Sequence, residues 1–143
     1  MLFTRIVMNT PLRFLLVDDE EPIRDLHAQI LKMSYPECTV DDCSDGDEFL
    51  PLARKAREEV KPYTLYLTDN RMMRMNGLKA LEILRKEGDK VPAIMTSGTP
   101  GEIPLSAYRD LAPFYVLDKP YTATRFKELV TAVLHLNRQN PSQ

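Results

Sequence analysis

Five side chains carry the chemical interest of this sequence: Asp18, Asp19, Asp69, Ser97 and Lys119. Three carboxylates drawn into one small crevice repel one another unless a cation joins them. With no His or Cys beside them, the all-oxygen donor set selects a hard cation. Mg²⁺, which needs few carboxylates and keeps several waters, fits best. A carboxylate beside such a cation can accept a phosphoryl group if a second positive charge neutralises the transferring oxygens. Lys119 can supply that charge as a mobile point donor, and the Ser97 hydroxyl can donate to a phosphoryl oxygen.

Each residue also has an ordinary alternative. Asp18-Asp19-Glu20 before Pro22 reads equally as acidic chemistry at a helix N-terminus. Asp69-Asn70, Thr96-Ser97-Gly98 and Lys119-Pro120 are all common turn compositions. The choice depends on whether the intervening elements bring the five together.

Residues 13–17 form an apolar run ended by acids, and Leu26, Ile30 and Leu31 follow at helical spacing after Pro22. Residues 38–43 read as a weaker edge strand. Asp45 with Glu48 predicts a capping box opening a helix whose apolar positions are Phe49, Leu52, Ala53 and Ala56. A third strand is expected over 63–68, and a helix bearing Leu78, Leu81 and Leu84 after Gly77. A short fourth strand over 93–95, a fourth helix over 103–111 and a fifth strand over 114–117 follow. A last helix from Thr122 carries Phe126, Leu129, Val130, Val133 and Leu134 on one stripe.

This is an α/β pattern of five successive β-α units. Strands that read as unbroken apolar runs predict a parallel sheet covered on both faces. Right-handed crossovers narrow the choice to a doubly wound, flavodoxin-like sheet of order 2-1-3-4-5, with ligands outside the strand carboxyl ends where strands 1 and 3 diverge. Asp18 and Asp19 end strand 1, Asp69 strand 3, Ser97 strand 4 and Lys119 strand 5. Four strand ends each carry the residue type that one site needs, which favours the site over four unrelated turns.

The composition fits this picture. The chain has 143 residues, 43% hydrophobic and 28% charged, with a net charge of −2, as expected of one soluble domain. The expected division is an extension over 1–12, the domain over 13–137 and a tail over 138–143. Basic residues are scattered, so direct nucleic-acid binding is not expected. The N-terminal stretch is interrupted by Arg5, too short to span a bilayer and without a cleavage pattern; Met8 offers a second start. No membrane association and a cytoplasmic location are expected. Cys38 and Cys43 read as reduced thiols. His27, on a helix face with Ile23 and Ile30, and His135 read as structural or solvated histidines, not phosphorylation sites.

The segments 14–20 (FLLVDDE), 67–69 (LTD) with Gly77 eight residues on, 92–98 (PAIMTSG) and 118–120 (DKP) together resemble the response-regulator receiver family over about residues 13–137. The resemblance implies that Asp69 is the phosphoacceptor. It makes Asp19 and Asp69 direct Mg²⁺ ligands, Asp18 a ligand through water and the backbone carbonyl of Arg71 the remaining protein donor. It also implies that Ser97 is the switch hydroxyl and Lys119 the family's site lysine. The implied partners are a sensor histidine kinase or histidine phosphotransfer protein, and a downstream protein target. With no output domain read after residue 137, signalling is expected through the face formed by the fourth helix, fifth strand and fifth helix. Catalysis is limited to the chain's own phosphorylation and dephosphorylation.

This sequence departs from the family pattern in three places. Thr96 beside Ser97 offers a second hydroxyl one residue earlier, and the distance from Pro92 favours Ser97. Met73 stands where a proline is usual, and Val116 stands where the switch aromatic is expected, with Tyr115 one position earlier. Arg71 and Thr99, each two residues beyond a site residue, are expected to overhang the phosphoryl group, with Arg71 shielding it from water. A flavodoxin-type electron carrier would need a hydroxyl- and glycine-rich loop where the acids stand. A haloacid-dehalogenase-type phosphatase would carry its nucleophile after the first strand. A degenerate receiver, not phosphorylated and acting as an interaction module, is the remaining alternative, although every charged site residue is present.

Overall fold

The computed structural model describes residues 11–139. The expectations for residues 1–10, Met8 included, and for residues 140–143 fall outside the described residues.

Strands β1 (Arg13–Val17), β2 (Thr39–Cys43), β3 (Leu65–Asp69), β4 (Ala93–Ser97) and β5 (Phe114–Asp118) alternate with helices α1 (Glu21–Ser34), α2 (Gly46–Glu58), α3 (Gly77–Lys86), α4 (Ala107–Asp110) and α5 (Ala123–Gln139). The five strands make one parallel sheet of order β2-β1-β3-β4-β5, as the pattern of apolar runs predicts. Strand alternation sorts the side chains into two layers. Phe14, Leu16, Leu65, Leu67, Ile94 and Leu117 pack with Leu31 of α1 and with Phe126, Val130, Val133 and Leu134 of α5. Leu15, Val17, Tyr66, Ala93 and Met95 pack on the other face with Phe49 and Ala53 of α2, Leu81 and Leu84 of α3 and Ala107 of α4. β3 and β4 are buried along their whole length, whereas β2 has mostly exposed or half-buried residues, as an edge strand should.

Two local expectations are corrected. The helix expected over 103–111 is reduced to the four residues of α4. Pro104 has no N–H for a longer helix, and the chain enters through tight three-residue bonds from Ala107 N to Pro104 O and from Tyr108 N to Leu105 O. Nor does Asp45 form a capping box. It is the N-cap of α2 by position but makes no side-chain cap bond. Its carboxylate accepts instead from the backbone N–H groups of Arg74 and Met75 at 2.9 and 2.8 Å, and Glu48 reaches back to Ser44 N. The cap residue is thus used to dock the loop between β3 and α3.

At the amino ends of the strands a buried polar cluster fastens the sheet to α3. Tyr66 donates to Asp89 at 2.5 Å, and Arg85 faces Asp89 while donating to the carbonyls of Leu111 and Pro113 at 2.8 and 2.9 Å. No helix among the described residues is long and apolar enough to cross a membrane.

Candidate functional site

The ends of β1 and β3 lie side by side at the centre of the sheet, and alternation sends Asp18 and Asp69 to the same face. Both are buried, at 5% and 6% exposure, while Asp19 is exposed. Ligand atoms of Asp18, Asp19 and Asp69 all lie within 4.8 Å of one another. Three protein donors converge on one oxygen of Asp69: Asn70 N at 2.9 Å, Thr96 Oγ1 at 3.1 Å and Lys119 Nζ at 3.0 Å, all to Oδ1. Among the described residues none donates to Oδ2. The carboxylate is therefore held by one oxygen, and the other has no donor among the described residues.

The charges respond to this crowding. Burial pushes the Asp18 carboxyl up to about 6; the N–H of Glu20 opposes the rise and the neighbouring Asp69 adds to it. Partial burial disfavours the charge on Lys119, but the hydrogen bond and charge of Asp69, backed by Asp18 and Glu20, raise its pKa overall. Three carboxylates this close together form an all-oxygen donor set that suits a hard divalent cation.

The surrounding loops are pinned by backbone bonds. Lys119 N donates to Ser97 O at 2.8 Å, drawing the end of β5 to the end of β4. Asn70 closes the loop after β3: its carbonyl accepts from Gly77 N at 2.8 Å and its side chain from Leu78 N at 3.0 Å. A Cβ at Gly77 would collide with the carbonyl of Asp69 and with Thr68 Oγ1, so the glycine eight residues after Asp69 answers to a close approach of backbones.

Ser97 lies at the end of β4, but its hydroxyl does not reach Asp69. It donates to Glu102 Oε2 at 2.5 Å, and the other oxygen of Glu102 takes Arg71 Nε at 3.0 Å. Arg71 is itself 73% exposed, and Thr99 is exposed as well. The sequence reading placed no carboxylate here. The signal for one was Pro100-Gly101: Glu102 N donates to Thr99 O at 3.1 Å across these two residues, with Gly101 at φ 79°, the pairing a type II turn prefers. That turn folds Glu102 back onto Ser97.

Thr96, the neighbouring hydroxyl set aside in favour of Ser97, also belongs to the site. It is in register with Asp69, so strand pairing puts its hydroxyl beside the carboxylate. His27 is the structural histidine expected, although its place is the floor of this site. Its ring stacks on Phe126 with centroids 4.2 Å apart and its Nε2 pairs with the Tyr121 hydroxyl at 2.9 Å. His135 is exposed. Tyr115 packs on the α1–α5 face and Val116 on the opposite one, so Tyr115 does not stand in for an aromatic at 116. Cys38 and Cys43 are free thiols.

The response regulator receiver domain family matches residues 14–131. The chain is 28% identical over 135 residues to the alkaline phosphatase synthesis transcriptional regulatory protein SphR of Synechococcus elongatus, covering 92% of this chain and 52% of that protein. It therefore spans about half that relative's length. It is 31% identical over 94 residues to the two-component response regulator ORR41 of Oryza sativa subsp. japonica, covering 64% of this chain and 72% of that one. Among solved structures, a CheY-like response regulator receiver domain protein from Methanospirillum hungatei JF-1 superposes with a TM-score of 0.75 at 25% identity, covering 92% of this chain and 99% of the other.

Proposed function

Because the chain belongs to the response regulator receiver domain family, we propose that it takes a phosphoryl group on Asp69 from a histidine kinase or histidine phosphotransfer protein and thereby switches a protein-binding surface. The observation that carries this reading is the asymmetry of Asp69, with three donors on Oδ1 and none from the described residues on Oδ2. Oδ2 is the nucleophile. The bond from Oδ2 to phosphorus forms as the phosphorus–nitrogen bond to the donor imidazole breaks, and the electron pair leaves with the imidazole. Positioning and charge neutralisation supply the catalysis.

Asp19 and Asp69 directly, Asp18 through water and the Arg71 carbonyl would hold Mg²⁺, which when bound offsets negative charge on the phosphoryl oxygens. Lys119, already at hydrogen-bond distance from Asp69, supplies a second positive charge to the same oxygens. Ser97 donates to the phosphoryl group once its hydroxyl turns inward, and the movement of its loop favours one of two arrangements of α4 and β5. The surface formed by α4, β5 and α5 is the proposed contact for a downstream protein. The setting is cytoplasmic, without direct binding of nucleic acid.

Intact-mass measurement after incubation with acetyl phosphate and Mg²⁺ tests the assignment. The parent protein should gain one phosphoryl group and Asp69→Asn should gain none while keeping its fold. An equal yield of phosphoprotein from the Asn variant would move the acceptor elsewhere.

A further inference from the structure

We propose that Glu102 is a latch on the phosphoryl site: its carboxylate holds the Ser97 hydroxyl and the Arg71 guanidinium together until a phosphoryl group on Asp69 displaces it. The inference rests on the reading of Asp69 as phosphoacceptor, and goes beyond it by giving a role to a residue outside the strand ends.

A serine hydroxyl has one hydrogen to donate, and Ser97 gives it to Glu102 Oε2 at 2.5 Å. The next acceptor, Thr99 O, is 3.5 Å away. The same hydrogen cannot also be given to a phosphoryl oxygen, so the two acceptors compete for it. Glu102 is a strong competitor. Its side chain is only 9% exposed and its second oxygen accepts from Arg71 Nε at 3.0 Å. With one oxygen on the Ser97 hydroxyl and the other on the Arg71 guanidinium, its carboxylate makes charge-assisted bonds of the kind a phosphoryl oxygen would make.

Chain geometry makes the latch part of the fold rather than a chance contact. The turn closed by Glu102 N and Thr99 O, with Pro100 and Gly101 at its centre, fixes Glu102 five residues beyond its partner. Release of Glu102 frees both Ser97 and Arg71, so one displacement alters the β4 end and the loop after β3 together. Glu102 acts through Ser97 and is a positioning residue, not a catalytic one.

The test compares rates of phosphoprotein formation from acetyl phosphate at fixed Mg²⁺, read by intact mass. In that step Asp69 attacks phosphorus and acetate departs with the electron pair of the broken phosphorus–oxygen bond. Glu102→Ala removes the competing acceptor and should speed the reaction on the order of tenfold, the worth of one hydrogen bond to a charged group. Glu102→Gln keeps an acceptor oxygen without the charge and should fall between. Removing a negative charge near an anionic donor could also raise the rate, so the same pair is measured in Ser97→Ala. The latch predicts that Glu102→Ala then changes the rate less than about twofold. An equal acceleration with and without the Ser97 hydroxyl, or no acceleration at all in folded Glu102→Ala, would overturn it. If the folded parent gained no mass, the phosphoacceptor reading would fail first and the latch with it.

Discussion

Two buried groups under the site titrate in opposite senses, and separating them tests the account of its electrostatics. His27 is enclosed by Phe126 and Tyr121; burial first, and then the charge of Lys119, push its pKa down from 6.5 to about 4. Between those values an unfolded chain binds a proton that the folded chain refuses. The contribution of His27 is therefore full above pH 6.5 and is lost as the pH falls toward 4. At about 1.4 kcal/mol for each pH unit, the span is worth about 3 kcal/mol. Asp18 runs the other way. Its carboxyl rises from 3.8 to about 6, so the folded chain holds a proton that the unfolded one releases, and stability falls by a similar ~3 kcal/mol as the pH climbs through that range. In the parent the two effects largely cancel. The assay is urea unfolding followed by circular dichroism at pH 4, 5, 6 and 7 (about one unit apart, to span both titrations), with chelator present. His27→Gln keeps an amide for Tyr121 without a titrating ring; relative to the parent, its stability should fall from pH 4 to 6.5. Asp18→Asn should rise relative to the parent from pH 4 to 6. Profiles for both variants that run parallel to the parent would refute the opposed burial of these groups.

Gly77→Ala forces a Cβ against the carbonyl of Asp69 and should cost about 1–3 kcal/mol of stability, seen as a lower urea midpoint at unchanged slope. Arg85→Met takes one of two guanidinium partners from buried Asp89, leaving Arg57 at 3.5 Å, and leaves the carbonyls of Leu111 and Pro113 without their donor; it should cost about 1–3 kcal/mol, and adding Asp89→Asn should recover part of that loss in thermal unfolding. In Mg²⁺ titrations followed by NMR, Asp19→Ala should weaken binding more than Asp18→Ala, because loss of a group that acts through water costs only about 10–100-fold. Equal titrations for the parent and both variants would contradict the assigned ligand set.

The sequence shows much of this architecture because the informative signals are local. The apolar runs ending in Asp18, Asp69, Ser97 and Lys119 mark both the strands and the sheet edge where their termini meet. Parallel crossovers then leave little freedom in strand order. What the sequence conceals depends on contacts across strands or through turns. Thr96 becomes a partner of Asp69 only once β3 and β4 are in register. Glu102 reaches Ser97 only because Pro100-Gly101 reverses the chain. Asp45 matches the pattern of a capping residue, yet the nearby N–H groups of Arg74 and Met75 take its carboxylate.

The turn between Ser97 and α4 also bears on which changes of chain length this protein can absorb. Surface loops generally accept insertions at little cost, since closing a longer loop costs only about 0.6 kcal/mol per doubling of its length. Most connections here should follow that rule. The segment from Gly98 to Gly101 should not, because its length sets where Glu102 stands relative to Ser97. One residue added or removed there would leave the domain folded and carry the carboxylate off the hydroxyl. The permitted lengths of this exposed loop are thus fixed by the partner of a single serine, and not by the stability of the sheet beneath it.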